Sequence, residues 1–296
     1  MGKRSDIERR LHTLTDINAI LRVMRTLAIM EMAKLSRFLS AQRRVVASIE
    51  DAAADFLHFY PEVVPTAENS VTVRLMIGSE RGFCGDFNET VLRAGIKLQP
   101  DRPSTDQIIV AVGSRICSKI RAKTISLAGA STVEEVQTVI SRVIEALNNV
   151  TAPGGDNSLR LTVLCHDEGD GDMRPRTLHP FPLDLAPRSH RSFPPILNLP
   201  PVTFYSELAG HYLFAALHEM FYQSLMAENQ QRQRHIDNAA RRIDEKIGEL
   251  NLKKNMVRQE EIIEEIETLL LSAEPEFHHG NDLNRAHEHL PGAVRM

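Results

Sequence analysis

The sequence is poor in the residues that build several common kinds of functional site. It has no tryptophan, and aromatic residues make up 5% of its 296 residues, so the stacking surfaces that bind single-stranded nucleic acid are not expected. Its three cysteines, Cys84, Cys117 and Cys165, are isolated from one another, and no CxxC pair occurs. This spacing predicts reduced thiols within a core, and neither disulfides nor a zinc site.

Long apolar runs are missing as well. The stretch closest to a membrane span, residues 208–217, is interrupted by Gly210 and His211 and is much shorter than the about 20 residues that a spanning helix needs. The first residues lead into a polar amphipathic pattern and not into the apolar core of a signal peptide. The net charge of −4, with 42% hydrophobic and 25% charged residues, is too balanced for a disordered or nucleic-acid-coating protein.

What the sequence does contain is a long helical stretch near its end, from Ser206 to Ala273. No proline interrupts it. Its apolar residues recur at steps of four and three, the period of a seam between paired helices. At 1.5 Å per residue this helix would be roughly 100 Å long, so it needs a partner helix to hold it. The seam residues are Ile236, Ala240, Ile243, Ile247 and Leu250.

The first helix supplies that partner. Ser5 and Glu8 form a capping-box pattern at its start, and the helical pattern ends before Pro61. Two successive steps of four along its apolar stripe make a stutter, which locally relaxes a left-handed supercoil. We predict that the terminal helices close on each other as a long antiparallel coiled coil. The stripe comprises Ile7, Leu11, Leu14, Ile17, Leu21, Met24, Ala28, Met32, Leu35, Leu39, Gln42, Val46, Ile49, Ala53 and Phe56.

The middle of the chain predicts a small α/β domain. Strand patterns at 71–77, 107–112, 124–127 and 159–165 alternate with helix patterns at 86–98, 114–122 and 132–147. This alternation predicts a largely parallel, Rossmann-like sheet with helices on its faces. Eight prolines between Met173 and Pro201 predict an extended strap and not a strand. We therefore divide the chain into a shaft helix (1–62), an α/β domain (63–204), a second shaft helix (205–273) and a disordered tail (274–296).

Three polar segments hold candidate site residues, and each has a simpler explanation. The loop 78–86 follows the first strand, where nucleotide-binding folds hold phosphate. Neither GxGxxG nor GxxxxGK[ST] occurs, however, and Glu80 and Asp86 would repel an anion, so we interpret it as a tight turn with an exposed Arg81. The acidic loop 167–172 lacks the terminal glutamate of a calcium loop, and the histidines at 278, 279, 287 and 289 lie in the polar tail. We predict no metal, cofactor or catalytic site.

The end of the last helix is more informative. Five glutamates crowd its final turns, where the helix dipole already concentrates negative charge. A solvated charged face is the simpler interpretation. The alternative is that this end meets a basic partner surface, which also buries Ile262, Ile263, Ile266, Leu269 and Leu270. The glutamates are Glu260, Glu261, Glu264, Glu265 and Glu267.

Three motifs resemble the gamma subunit of rotary ATP synthases. Residues 79–88 are similar to the family motif Ser-Asp-Arg-Gly-Leu-Cys-Gly-Gly-Leu-Asn, and residues 20–24 are similar to Ile-Thr-Lys-Ala-Met. Residues 227–240 and 255–262 resemble the C-terminal signature of the family. The motifs occur in the family's order, and the resemblance covers the chain up to about Ala273.

The resemblance implies a fold and a function. In that family the terminal helices form a shaft inside a hexamer of alternating alpha and beta subunits, while the α/β domain and the shaft foot bind the epsilon subunit and the membrane c-ring. The chain would then be a non-catalytic, peripheral subunit at the cytoplasmic face of the inner membrane, transmitting torque between the ion-driven ring and the catalytic sites of its partners. The resemblance also implies partner contacts at Arg22, Met24, Arg81, Arg258, Gln259, Ile262, Ile266, Leu269 and Leu270.

The sequence also departs from the family pattern. Ile263 stands where a small hydroxyl residue is expected, and an ungapped alignment places Glu31 where the family has lysine. With the added tail, these departures suggest a divergent member from an alternative ATP synthase operon. Two other functions stay open: a coiled-coil adaptor with an α/β head in another complex, and a nucleotide-using α/β enzyme.

Overall fold

The computed structural model describes residues 2–64, 70–98, 108–120, 124–151, 158–167, 173–178 and 193–272. The predicted tail, residues 168–172 of the acidic loop and the tail histidines lie outside this part of the chain. Two long helices, α1 (Gly2–Phe59) and α5 (Pro201–Ser272), flank the strands and shorter helices in the sequence, as predicted. The elements between them are a 3-10 turn (Pro61–Val63), β1 (Ser70–Ile77), α2 (Phe87–Lys97), β2 (Ile108–Val112), α3 (Ser114–Cys117), β3 (Ile125–Leu127), α4 (Val133–Thr151), β4 (Ser158–His166) and β5 (Met173–Leu178).

The chain forms two compact units: Ile17–Ile243, and Met1–Asp16 together with Asp244–Met296. The larger unit holds a five-stranded sheet in the order β3-β2-β1-β4-β5, parallel except for β5. Alternate residues of the strands face opposite sides, so the sheet has two apolar faces. One face packs with α1, α4 and α5, and the other packs with α2 and α3. This is the predicted Rossmann-like arrangement.

The predicted strap is wrong at its start, because Met173–Leu178 forms β5, antiparallel to β4. Pro175 pairs with Leu164 in this ladder. The strand is the last in the sheet order, and a proline is tolerated on an edge strand because its missing N–H can face away from the ladder. Residues 193–200 are irregular, and 179–192 lie outside the described part.

In the larger unit α1 and α5 run antiparallel. Arg25 forms an ion pair with Asp237 at 2.9 Å, and Gln42 Nε2 donates to the Ala215 carbonyl at 2.9 Å. The Phe56 and Phe204 rings lie 4.8 Å apart. Residue numbers therefore rise on one helix as they fall on the other, which confirms the predicted antiparallel pairing.

The smaller unit repeats this pairing with its own segments of the two helices. Ile7 is buried, and Leu11, Leu14, Ile247 and Leu250 are half-buried along the facing sides. The Arg4 guanidinium bonds to the Glu261 carboxylate at 3.4 Å. These contacts place the start of α1 beside the later turns of α5.

Two details of the predicted first helix are wrong. Ile17 is 40% exposed, whereas Asn18 is 6% exposed and takes the seam position. Asn18 follows Leu14 by four residues and precedes Leu21 by three, so the seam keeps its four-three step there. The helix also begins at Gly2 and not at Ser5, so Ser5 lies within the first turns of the helix and not at its N-cap.

Glu31, which departs from the family pattern, joins α1 to the α/β domain. Its carboxylate accepts a hydrogen bond from the backbone N–H of Val133 at 2.6 Å, and Val133 is the first residue of α4. A carboxylate at a helix start satisfies an orphan N–H and complements the helix dipole. One turn further along α1, Lys34 pairs with Glu134 at 3.1 Å.

We predict that Leu39→Ala lowers the free energy of unfolding by about 2–5 kcal/mol, the range for deleting a buried leucine side chain. Leu39 is buried in the core shared by α1, α5 and the sheet. Leu27→Ala is the matched control, because Leu27 lies on the same helix and is 55% exposed. Urea denaturation of both variants measures the difference. Equal losses would show that the seam does not stabilise the larger unit.

Candidate functional site

The end of α5 is an exposed apolar segment. Arg4, close to the start of α1, pairs with Glu261, and α5 continues from there to Ser272. Since α1 begins at Gly2, the turns after Glu261 run beyond the described part of α1. Six large apolar side chains on these turns are between 44% and 75% exposed: Ile262, Ile263, Ile266, Leu269, Leu270 and Leu271.

The same turns are strongly acidic. Glu260, Glu264, Glu265 and Glu267 are exposed and Glu261 is half-buried. Arg4 is the cation that bridges Glu8 and Glu261 in this unit. The carboxylates lie at the negative end of the helix dipole, which makes each of them locally unfavourable. A partner that covers this end must therefore offer both apolar surface and positive charge.

The other predicted contact residues lie at separate places along the paired helices. Arg258 and Gln259 are exposed, one turn before the apolar end. Arg22 is exposed on α1, whereas Met24 is half-buried beside the seam. Within the described residues no side-chain hydrogen bond or ion pair is formed by Arg22, Arg258 or Gln259, so their polar groups are available to a partner. Their contact role stays a prediction.

A second exposed stripe on α1 escaped the sequence analysis. Ile20, Val23, Leu27 and Met30 are spaced by three, four and three residues, and each is between 55% and 61% exposed. They lie next to the seam that α1 shares with α5. The same heptad spacing is visible in the sequence. One apolar stripe on each helix is enough to explain the pairing of α1 with α5, however. The sequence analysis therefore assigned no contact to the second stripe.

The loop after β1 is held by one carboxylate. Glu80 accepts hydrogen bonds from the Ser114 backbone N–H at 2.9 Å, the Ser114 hydroxyl at 2.5 Å and the Gly129 backbone N–H at 2.7 Å. Ser114 follows β2 and Gly129 follows β3, so Glu80 fastens the carboxyl ends of three neighbouring parallel strands. Gly113 makes this approach possible, because its φ is +112° and a Cβ there would lie 2.7 Å from the Gly78 carbonyl oxygen.

The arrangement bears on the nucleotide-enzyme alternative. In doubly wound folds, ligands bind outside the carboxyl ends of the strands, often through backbone N–H groups. Here the Glu80 carboxylate accepts hydrogen bonds from two such N–H groups. Burial favours a higher pKa for Glu80, but the hydrogen bonds from Ser114 and Gly129, with the charge of Arg115, hold the pKa below its ordinary value. The loop is a structural turn with an exposed Arg81, as predicted.

Helix α5 fixes the other side of this loop. The Arg232 guanidinium donates to the Gly82 carbonyl at 3.3 Å and to the Asn229 side-chain oxygen at 2.8 Å, and it forms a buried ion pair with Glu228. Burial raises the pKa of Glu228 to about 7, although Arg232 acts to lower it. Cys84 and Phe87 pack against Ala227 of α5. The loop is thus clamped between the sheet and the helix.

The sequence analysis did not identify the contact that Glu228 and Arg232 make with the loop after β1. Glu228 and Arg232 both lie within the motif at 227–240, and their four-residue separation puts them on one helix face. That spacing is common on solvated helices, so it does not reveal that the pair is buried against a loop 150 residues away.

The described residues contain no group of three histidine, cysteine, aspartate or glutamate side chains arranged to hold a metal ion. Cys84, Cys117 and Cys165 are free thiols; Cys84 and Cys165 are buried, and Cys117 is half-buried. No helix in the described ranges is long and apolar enough to cross a bilayer. The features that stand out on the described surface are the exposed apolar side chains of α1 and α5 and the exposed Arg81 in the loop after β1.

Comparison with known proteins identifies the family. A family model described as ATP synthase matches residues 3–274. The chain belongs to the gamma-chain family of the ATP synthases. The ATP synthase gamma chain of Caldanaerobacter subterraneus subsp. tengcongensis is 24% identical over 300 residues, covering 92% of this chain and 99% of the relative. That of Clostridium pasteurianum is 25% identical over 280 residues, covering 90% and 96%.

Solved structures share the fold. The rotor of the Euglena gracilis mitochondrial ATP synthase matches with a TM-score of 0.58 at 11% identity, covering 88% of this chain and 99% of that one. The central stalk of the Tetrahymena thermophila mitochondrial ATP synthase matches with a TM-score of 0.53 at 16% identity, covering 74% and 99%. The gamma-subunit resemblance predicted from the three motifs is confirmed.

We predict that Glu80→Gln lowers stability in a pH-dependent way. The pKa of Glu80 is lowered in the folded chain, so the carboxylate stabilises the fold at pH values above about 4.5, its unfolded value, and loses that contribution as the pH falls through the folded value. The difference between wild type and variant should be largest near pH 7 and shrink in acid. Urea denaturation at several pH values measures it, and a difference that does not change with pH would contradict the role of the charge.

Proposed function

We infer that this chain is the central-stalk rotor subunit of a rotary ATP synthase, transmitting torque between an ion-driven membrane ring and a catalytic alpha/beta hexamer. The observation that carries the inference is the exposed apolar end of α5 on a chain of the gamma family. Its six large apolar side chains lie in water in the isolated chain. Fully burying such a side chain contributes about 1.5–3 kcal/mol, so a surrounding partner would gain substantially from covering them.

Apolar contact also suits rotation. The hydrophobic effect has no preferred direction, so an apolar sleeve can hold this end of α5 at many angles with similar energy. Hydrogen bonds and ion pairs depend on distance and angle, and they would resist free turning. We therefore assign the apolar residues, including Ile262, Ile266, Leu269 and Leu270, to a bearing contact within the hexamer.

Transmitting force needs directional contacts in addition. Arg258 and Gln259 offer exposed donors just before the apolar end, and a guanidinium can grip a carboxylate with two parallel hydrogen bonds. We assign this pair to a loop of a beta subunit. Ile263 replaces the small hydroxyl residue of the family pattern, so this chain makes fewer polar contacts there. Arg22, Met24 and Arg81 are assigned to the hexamer by the same resemblance.

The remaining partners follow from the family. We propose that the α/β domain and the adjoining ends of α1 and α5 bind the epsilon subunit and the c-ring, which places the chain peripherally at the cytoplasmic face of the inner membrane. The subunit carries no catalytic residues in this proposal, because ATP is made and hydrolysed on the partners. The capture of two loop amides by Glu80 supports this, since it leaves them unavailable to a phosphate.

Reconstitution tests the proposal. The full chain is mixed with the alpha and beta subunits of the same synthase, and the assembly is separated by size. We expect the chain to elute with the hexamer and to change its rate of ATP hydrolysis. A stably folded chain that neither binds the hexamer nor alters its rate would favour the structural adaptor instead.

We predict that Arg258→Ala combined with Gln259→Ala lowers ATP turnover of the assembled complex several-fold. Both residues are exposed, so the Tm of the isolated chain should not change. Lys253→Ala, another exposed substitution on the same helix, is the matched control. Turnover equal to wild type would show that this polar contact is not made.

A further inference from the structure

The start of α1 and the end of α5 border an open groove of about 890 Å³ within the smaller unit. Arg4, Ser5 and Glu8 line its α1 side, and Glu264 and Leu269 are among the residues that line its α5 side. Leu269 also belongs to the exposed apolar end of α5. Monomeric proteins rarely leave a contiguous apolar surface uncovered, so the groove and the turns beside it favour an occupant.

The chain continues directly from this surface. Helix α5 ends at Ser272, within one turn of Leu269, and residues 273–296 follow. The family pattern matches residues 3–274, so almost all of this tail lies outside the pattern from which the rotor contacts were inferred. Those contacts therefore leave the tail without an assigned role.

The composition of the tail suits the groove. It carries four large apolar residues at intervals of four to seven positions, and between the first and the third of them stand one arginine and four histidines. Arginine is always cationic, and histidine becomes cationic as the pH falls through about 6.5. Two carboxylates, Asp282 and Glu288, lie in the same stretch and partly offset this charge. The apolar residues are Phe277, Leu283, Leu290 and Val294, and the basic ones are Arg285, His278, His279, His287 and His289.

The groove offers the opposite charge. Arg4 is paired with Glu8 and Glu261, whereas Glu264 and Glu265 are exposed and form no side-chain hydrogen bond or ion pair with the described residues. These carboxylates lie close to the negative end of the helix dipole. A basic segment placed in the groove would offset that unfavourable charge.

The tail is long enough to fold back over the end of α5. An extended chain spans about 3.3–3.6 Å per residue, so residues 273–296 can reach roughly 80 Å. The apolar turns from Ile262 to Leu271 rise only about 14 Å along the helix axis. Pro275 lacks the N–H that a continuing helix would need, so the sequence favours a change of direction close to the end of α5.

Attachment makes the tail a better occupant than a second copy of the chain. A segment joined to its site by a short linker has an effective concentration on the order of millimolar. A second copy in a micromolar solution is about a thousandfold more dilute. The attached segment also does not lose the translational freedom of a separate molecule when it binds.

We propose that residues 277–290 dock reversibly in the groove between α1 and α5 and cover part of the apolar end of α5. Phe277, Leu283 and Leu290 supply the apolar contacts, and Arg285 lies towards the exposed carboxylates. Such a local contact opens readily, so the apolar end returns to water when the tail leaves it. The docking does not depend on the rotor function. If the chain is a rotor, the tail competes with the hexamer for the same side chains.

Replacing Phe277, Leu283 and Leu290 together by serine in the full chain tests the docking. The dye ANS fluoresces when it binds exposed apolar surface. We expect at least about a twofold rise in its fluorescence, because the undocked tail uncovers the end of α5. A tail that does not dock predicts the opposite sign, since the variant then only loses apolar side chains. Unchanged or lower fluorescence would overturn the proposal.

The matched control changes the tail without removing apolar side chains. Asn281→Ser combined with Asn284→Ser keeps the charge and the four large apolar residues of the tail, so its dye fluorescence should equal that of the wild type. A rise as large as in the triple variant would show that the apolar contacts are not the cause, which contradicts the proposal.

Hydrogen exchange of the full chain locates the contact. Backbone N–H groups from Ile262 to Ser272 should exchange several-fold more slowly in the wild type than in the triple variant, while those from Ile20 to Met30 should not differ. A difference at Ile20–Met30 instead would place the tail on the second apolar stripe. Protection that increases with the concentration of the chain would identify a second copy as the occupant. Either result would refute docking of the tail in this groove.

Discussion

The pairing of α1 with α5 is the constraint on which the rest of the structure depends. Neither helix alone can bury its apolar stripe. Intrinsic helix propensity does not stabilise helices of this length without packing against a partner. Each unit contains its own antiparallel segment of the pair, marked by Arg25–Asp237 in the larger unit and by Arg4–Glu261 in the smaller one. The α/β domain between the two helices in the sequence packs one face of its sheet on this pair.

The loop after β1 lies at a sheet edge that binds ligands in many folds, but here that edge is bonded to a side chain of the protein itself. The carboxyl edge of a parallel sheet offers backbone N–H groups that bind anionic ligands in many folds. In this chain the Glu80 carboxylate accepts hydrogen bonds from those N–H groups and so links the loops that follow neighbouring strands. From α5, Arg232 donates a hydrogen bond to the same loop. The edge therefore holds the loop after β1 between the sheet and α5.

The surfaces themselves divide by chemistry. The end of α5 combines exposed apolar side chains with glutamates, the stripe at 20–30 is apolar, and the loop after β1 exposes both Arg81 and Phe83. Non-directional apolar contact permits turning, whereas directional polar contact resists it.

Periodicity in the sequence determined the two long helices, their antiparallel seam and the alternation that gives a parallel sheet, because spacing along the chain decides which side chains share a face. It placed Ile17 in the seam at the point where Asn18 lies, and it missed β5. A one-residue shift of an apolar stripe, and a proline tolerated on an edge strand, both depend on neighbouring elements that spacing along the chain does not specify. Which charges are buried, and which are bonded to distant backbone groups, was decided only by the tertiary structure. Glu80, Glu228 and Arg232 look like ordinary solvated residues in the sequence, and their roles arise from partners brought together by folding from far along the chain.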